Sequence, residues 1–179
     1  MIKFSSKDIE KCQTFAKSID TSFYASRNQS NNEKRIKDQY VGKLGEIAVF
    51  IYFKENCIEV SEPDFKIYEK SKKSWDYDLK GKDINIHVKT QNVEQGKKFG
   101  GSFIFEKSDR LIFKDHKEND YVCFVSIDLK ENVAEIKSIL SLKTLHGLNL
   151  FKKPKLDYLI SKCAIYFSDI RNLKWSLTI

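Results

Sequence analysis

Side chains that suit phosphate chemistry alternate with apolar ones over residues 76–91. Asp76 and Asp78 precede a glycine turn signal, and His87 and Lys89 follow it. Because successive side chains of a strand point to opposite faces, a hairpin here would gather these groups on one face. A carboxylate can bind a hard cation that polarises a phosphoryl oxygen, and an ammonium group can stabilise the negative charge that develops. The segment therefore predicts a site for phosphodiester hydrolysis.

The two arms of this hairpin predict a definite register. A tight turn over residues 81–82 would pair Asp78 with Asn85 and Asp76 with His87. One face would then be polar, with Asp76, Asp78, Asn85, His87 and Lys89. The other face would be apolar and covered by a long helix, with Tyr77, Leu79, Ile84, Ile86 and Val88. A three-residue loop would break this segregation.

A further carboxylate, Glu46, comes from an earlier helical segment. It lies between Leu44 and Ile47 in the most apolar part of that helix, where an unpaired charge is costly. Gly42 and Gly45 stand close to it, and each costs a helix interior roughly 1 kcal/mol relative to Ala. Two such glycines indicate a close approach of the helix to another group. We therefore predict that Glu46 completes the cluster.

Helices are predicted before the hairpin, and mostly strands after it. The N-terminal helices cover 6–54, the hairpin about 74–91, and the remaining strands and helices 102–179. Short strands are predicted at 57–60, 65–68, 102–105, 111–113, 121–127, 133–136 and 163–167. A short helix is predicted at about 138–146 and another after 168, with a basic glycine-containing loop over 94–101. The whole chain, 1–179, reads as one α/β domain.

The composition narrows the class of partner. The 179 residues carry a formal net charge of +7, which favours a polyanion such as nucleic acid, although a lysine-rich composition can also reflect an AT-rich genome. The four cysteines are scattered, without the spacing of a zinc site or a disulfide framework. The longest apolar run, 47–53, is far below the ~20 residues of a membrane span. A cytoplasmic protein is expected.

Residues 42–91 resemble the PD-(D/E)XK nuclease superfamily, and the chain looks most like a small type II restriction endonuclease. By this resemblance Glu46 corresponds to the helix glutamate of the family. Asp78 corresponds to its metal-binding aspartate, Lys89 to its catalytic lysine and Gln91 to a polar position after that lysine.

His87 departs from the family, which has Glu or Asp two residues before the lysine. Imidazole binds Mn²⁺ and other transition metals but is a poor ligand for Mg²⁺. Three alternatives follow: Glu46 replaces the missing charge, His87 acts as a base or phosphate contact, or the site is inactive. Asp76 and then Asp64 are the alternatives to Asp78 as the metal-binding aspartate.

The resemblance implies a restriction-endonuclease-like core, with a mixed central β-sheet flanked by helices. It also implies a DNA endonuclease that uses Mg²⁺ or Mn²⁺ and acts by in-line attack of water, as a homodimer where it cuts both strands. Asp78, Glu46 and His87 would bind the metal, with Lys89 and Gln91 completing the catalytic set. Lys43, Lys97 and Lys98 would contact nucleic acid. The alternatives are a catalytically inactive DNA-binding protein of this fold, another nuclease of the superfamily such as a repair or phage enzyme, and an interaction protein with neither activity.

Overall fold

The structure, a computed structural model, describes residues 1–19, 31–67, 77–113 and 118–177. Its helices are α1 (Ser6–Ser18), α2 (Asn32–Glu55), α3 (Val93–Phe99), α4 (Leu142–Gly147) and α5 (Phe167–Ile170). Its strands are β1 (Ile2–Lys3), β2 (Leu79–Lys80), β3 (Asn85–Asn92), β4 (Ser102–Glu106), β5 (Asp120–Asp128), β6 (Val133–Ser141) and β7 (Lys162–Tyr166). Short 3₁₀ turns cover Arg110–Ile112 and Asp157–Leu159. Asp76 lies outside the described residues.

A five-stranded sheet in the order β1-β6-β5-β3-β2 forms the centre of the fold. Strands β3 and β5 are parallel, and the other neighbours are antiparallel. Strands β4 and β7 form a second, antiparallel sheet. The predicted mixed α/β class, with a central sheet and helices, is therefore confirmed, while a restriction-endonuclease-like core stays a prediction.

The two faces of the central sheet belong to different apolar cores. Helices α1 and α2 pack on the face that carries Ile86, Cys123 and Val125. The second sheet and α4 pack on the opposite face, which carries Val122 and Phe124. Alternate residues of β5 thus enter opposite cores, which explains the continuous apolar run from Tyr121 to Val125.

Local sequence signals account for several elements. Helix α1 begins with a capping box in which Ser5 and Asp8 exchange side-chain to backbone hydrogen bonds. Helix α2 is capped by Asn31, whose side chain accepts from the Lys34 amide. The predicted pairing of residues 121–127 with 133–136 is confirmed by the antiparallel β5 and β6.

Other predicted elements differ. The expected loop over 94–101 is largely helix α3, because Asn92 caps its amides and Gly100, with φ of 74°, ends it. Residues 111–113 fall in and just after a 3₁₀ turn that Asp109 caps, and the predicted helix at 138–146 is shortened because β6 continues to residue 141. Of residues 57–60, only Val60 pairs, in an isolated bridge to Gly81, and the described part of 65–68 forms no strand.

The hairpin register is shifted by two residues from the predicted one. Lys80 pairs with Asn85, and a four-residue connection over 81–84 replaces the two-residue turn. The turn closes through a hydrogen bond from the Gly81 amide to the Ile84 carbonyl, with the Ile84 side chain packed against the glycine. Because the shift is even, the polar and apolar faces of the paired residues are preserved. Asp78 lies just before β2, and its amide donates to the Ile86 carbonyl.

The described residues also show the state of the cysteines and the character of the helices. The cysteines are free thiols, with Cys12 and Cys123 buried. No helix in the described ranges is both long enough and apolar enough to cross a membrane.

Candidate functional site

The polar side chains of β3 form a single row on the sheet face opposite α2. The parallel register places His87 beside Val122 and Lys89 beside Phe124, and both partners belong to the core beneath the second sheet. Alternation adds Asn85 and Gln91 to the row (Asn85, His87, Lys89 and Gln91, called the polar row below). Each of the four side chains has a partner from outside the hairpin. The predicted polar face therefore exists, but the groups facing it come from later in the chain.

A buried charged network surrounds His87. His87 is 4% exposed, and Asp120, which is fully buried, has Oδ1 3.5 Å from His87 Nε2. Asn85 Nδ2 donates to the same carboxylate over 2.9 Å. Arg110 brings Nη2 to 3.3 Å from His87 Nε2 and Nη1 to 3.7 Å from Asp120 Oδ2. The imidazole thus sits between a carboxylate and a guanidinium group.

The protonation state of His87 follows from this burial. Burial lowers the pKa of His87 below its ordinary 6.5 and outweighs Asp78 and Asp120, whose charges would raise it, while Arg110 also lowers it. A neutral imidazole can accept at Nε2, whereas guanidinium can only donate. Arg110 is also the nearer of the two neighbours of Nε2. Nε2 thus accepts from Arg110 in one tautomer and donates to Asp120 in the other.

Lys89 is held by the turn that precedes β5. Its Nζ donates to Asp109 Oδ2 over 2.9 Å and lies 4.5 Å from the centre of the Phe105 ring. The Asp109 carboxylate is itself fixed, because Oδ1 accepts from the Leu111 amide at the start of the 3₁₀ turn. Lys89 and Asp109 are 24% and 20% exposed, so the pair is positioned yet accessible to a ligand.

Asp78 lies at the open end of the polar row. It lies just before β2, next to Leu79, which is buried in the core under α2. Asp78 is exposed, and Oδ2 accepts from the Val88 amide over 2.7 Å. Its charge acts on His87 in the direction that raises the pKa. Asp78 is thus an accessible carboxylate anchored to β3.

Glu46 lies in a different neighbourhood from the one predicted. It belongs to α2, on the other face of the sheet, and its Oε2 accepts from Lys43 Nζ over 2.6 Å. Both side chains are 13% exposed, and Lys43 also donates to the Asp64 carbonyl. Burial raises the pKa of Cys12 on α1 to about 12, helped by the charge of Glu46. The structure therefore places the predicted ligand Glu46, the predicted DNA contact Lys43 and the alternative Asp64 together, away from the polar row.

The remaining predicted site residues divide between packing and surface. Gln91 donates from Nε2 to the Ser102 carbonyl over 2.6 Å and contacts Gly96 of α3, which gives it a structural role between α3 and β4. Lys97 and Lys98 are exposed in the last turn of α3, immediately beyond β3. They are accessible to an anionic partner.

The predicted metal ligands do not form a three-residue site. Among residues 1–19, 31–67, 77–113 and 118–177, no three His, Cys, Asp or Glu side chains gather as a metal-binding group. Mg²⁺ commonly uses only one or two carboxylates, and takes its other ligands from waters and substrate phosphate. The exposed Asp78 carboxylate fits that lighter requirement, whereas Glu46 on the far face does not.

Three functional candidates were missed by sequence reasoning: Asp109, Arg110 and Asp120. Asp109 and Arg110 stand next to each other, and each reaches a polar-row residue at least 20 positions away. The signal available in the sequence was the adjacent, oppositely charged pair Asp109 and Arg110 between two predicted strands. Its position did not indicate which residues the pair would contact. Comparisons with protein-family models, with curated proteins and with solved structures find no match to this chain.

Proposed function

We propose that this chain is a metal-dependent DNA endonuclease that hydrolyses phosphodiester bonds at the polar row. The observation that carries the proposal is the accessible ammonium of Lys89, fixed by Asp109, on the strand whose Val88 amide binds the exposed carboxylate of Asp78. A carboxylate that can hold a metal and an ammonium group that can stabilise negative charge are groups suited to phosphodiester hydrolysis. The formal net charge of +7 is consistent with a polyanionic substrate.

Each residue would have a definite role. Asp78 would hold Mg²⁺ or Mn²⁺, which when bound polarises a phosphoryl oxygen and lowers the pKa of a coordinated water. Lys89 would orient the attacking water and donate hydrogen bonds toward the negative charge that develops on the phosphate. An ammonium group has three donors, so the bond to Asp109 fixes its position and leaves donors for the substrate. Asp109 is then a positioning residue.

A DNA-binding protein of this fold without nuclease activity is the second candidate. It is favoured by His87, which stands where the resemblance implies a carboxylate, is almost fully buried and is already engaged with Arg110. The location of Glu46 on the opposite face favours the same reading, since it removes a second predicted carboxylate from the site. Such a protein would bind DNA in a salt-dependent manner and leave it intact.

A cleavage assay separates the two candidates. The purified chain is incubated with supercoiled plasmid and with long DNA of diverse sequence, in Mg²⁺, in Mn²⁺ and in EDTA. We expect nicking or cutting with a metal, and a rate at least about 10²-fold lower for Asp78→Asn and for Lys89→Met. Asp157→Asn and Lys66→Met, at exposed positions outside the polar row, are the matched controls and should cut normally.

The outcomes are distinct. Binding without cleavage under every condition would support the inactive DNA-binding protein, and absence of both at low salt would contradict both candidates. Cleavage that Lys89→Met leaves unchanged would remove the polar row from the mechanism. Gel filtration of the protein with and without DNA would test the homodimer expected for double-strand cleavage.

A further inference from the structure

Arg110 is a second cation, besides Lys89, that lies against the polar row. Its guanidinium group contacts His87 at 3.3 Å and Asp120 at 3.7 Å, both within the buried part of the site. Asp120 is also bonded to Asn85, so the groups that orient Arg110 are fixed in the central sheet. The Arg110 side chain as a whole is nevertheless 31% exposed, although its Nε is buried. It therefore reaches from the surface turn to the buried groups and stays partly accessible to a ligand.

The chemistry of a guanidinium group suits a phosphate better than an ammonium group does. Its planar donors match two phosphate oxygens at once, and such bidentate pairs are stronger than single contacts. Asp109 and Arg110 are adjacent residues of one turn, and both contact the polar row. Asp109 binds Lys89, and Arg110 contacts Nε2 of His87. Two cations are thereby presented on one face of β3.

The presence of histidine at position 87 is explained by this arrangement. A carboxylate there would add a negative charge beside the buried Asp120, whereas an imidazole adds none and contacts both Asp120 and Arg110. The described side chains in and around the polar row include three carboxylates and two cations: Asp78, Asp109 and Asp120, with Lys89 and Arg110. A polyanion would therefore bind best when a divalent cation has offset the excess negative charge.

We infer that Arg110 contacts a backbone phosphate of the bound nucleic acid, with His87 and Asp120 as the positioning residues that aim it. This rests on the proposed function, because it requires a nucleic-acid ligand at the polar row. The rival role for Arg110 is purely structural, namely neutralising the buried Asp120 carboxylate.

A double substitution separates contact from neutralisation. Arg110→Met alone would leave the Asp120 carboxylate buried without its cation, so it is combined with Asp120→Asn, which removes that charge and keeps an oxygen for Asn85. Asp120→Asn alone is the matched control, since it retains Arg110. Affinity for a fluorescent 20-base-pair duplex is measured by anisotropy in Ca²⁺ and in EDTA over a range of KCl concentrations, after circular dichroism has established folding.

We expect the double variant to bind at least about 10-fold more weakly than Asp120→Asn, with a slope of log affinity against log salt smaller by about 0.9, the value for one phosphate contact. Arg110→Lys should keep the slope and lose only part of the affinity. A folded double variant with the affinity and slope of the control would overturn the inference. If the double variant does not fold, full wild-type affinity in Arg110→Lys would overturn it, because the bidentate contact would then be dispensable.

Failure of the proposed function gives a different result. In that case the wild-type chain binds no duplex at low salt, with or without the divalent cation. If the wild-type chain binds and cuts DNA while the Arg110 variants behave as their controls, only the inference about Arg110 fails.

Discussion

His87 connects the chemistry of the polar row to the stability of the fold. Its imidazole is buried between Arg110 and Asp120, with the charge of Asp78 also acting on it. Protonation would place a second cation beside Arg110, in a buried position. The neutral form is therefore part of the folded structure.

The free energy of unfolding should depend on pH through His87. The folded pKa is below the ordinary 6.5, so between the two pKa values the unfolded chain binds more protons than the folded one. Stability is then fully present above pH 6.5 and is lost as the pH falls through the folded pKa. Urea unfolding of the wild type and of His87→Gln at pH 8, 7, 6 and 5 measures this loss.

The difference in stability between the two proteins is the informative quantity, because carboxylates away from His87 contribute equally to both in acid. We expect the wild type to lose stability relative to His87→Gln as the pH decreases. A difference that stays constant from pH 8 to 5 would show that His87 has the same pKa in both states.

At the scale of single residues, the sequence predicted the side chains that β3 contributes to the candidate site but not their partners. The alternation in residues 85–91 was enough to predict that His87 and Lys89 share a face. Their partners could not be predicted, because Asp109 and Arg110 meet the row only through the tertiary arrangement of β3, β4 and β5. Local periodicity carries no information about contacts of that kind.

At the scale of elements, the two glycines of α2 have different explanations. A Cβ at Gly45 would lie 1.9 Å from Thr90 Oγ1, so this glycine lets the helix approach β3. A Cβ at Gly42 would meet nothing within 4 Å among the described residues. The close approach predicted from sequence is thus between helix and sheet, at Gly45 alone, and it does not involve the polar row.

Alanine substitutions at these positions should have opposite effects on stability. Gly42→Ala should raise the free energy of unfolding by up to about 1 kcal/mol, because alanine is the better helix former. Gly45→Ala should lower it by about 1 to 3 kcal/mol, because the new methyl group overlaps Thr90. Both effects can be measured by urea denaturation with circular dichroism.

Thr90→Ala supplies the control for the overlap. It removes the Oγ1 atom, which has no hydrogen-bond partner among the described residues, and should reduce the cost of Gly45→Ala. Equal costs in the two backgrounds would contradict the assigned contact.

At the scale of the whole molecule, the central sheet joins two cores that share β5. Val122 and Phe124 contribute to one core, and Cys123 and Val125 to the other. Loss of either core would expose one face of this strand, so we do not expect one core to unfold without the other.

Hydrogen exchange can test this cooperativity. Peptides from α2 and from β7, which belong to opposite cores, should lose amide protection at the same urea concentration. Earlier loss of protection in β7 would show that the second sheet is a separate unit of stability. The Gly42→Ala protein is a useful control, because added stability should move both transitions together.

Much of the architecture could be predicted where the signal was local. The capping box of α1, the long α2 and the β5 and β6 pair follow from short-range patterns. The second sheet could not be predicted in the same way, because it pairs residues 102–106 with 162–166, strands about sixty positions apart. The hairpin register was missed because Gly81 and Ile84 close a longer turn.

Alternate side chains of strand β3 contact two different parts of the molecule. Its even-numbered side chains, from Ile86 to Thr90, face α2, whereas its odd-numbered ones, from Asn85 to Gln91, face the turn with Arg110. Substitutions at the odd-numbered positions can therefore change the polar row while the contact between β3 and α2 stays intact. Insertion of a single residue into the connection over 81–84 would shift the pairing of Leu79 and Lys80 by one place, so that either their side chains exchange faces or the pairing is lost, with every residue still in the chain.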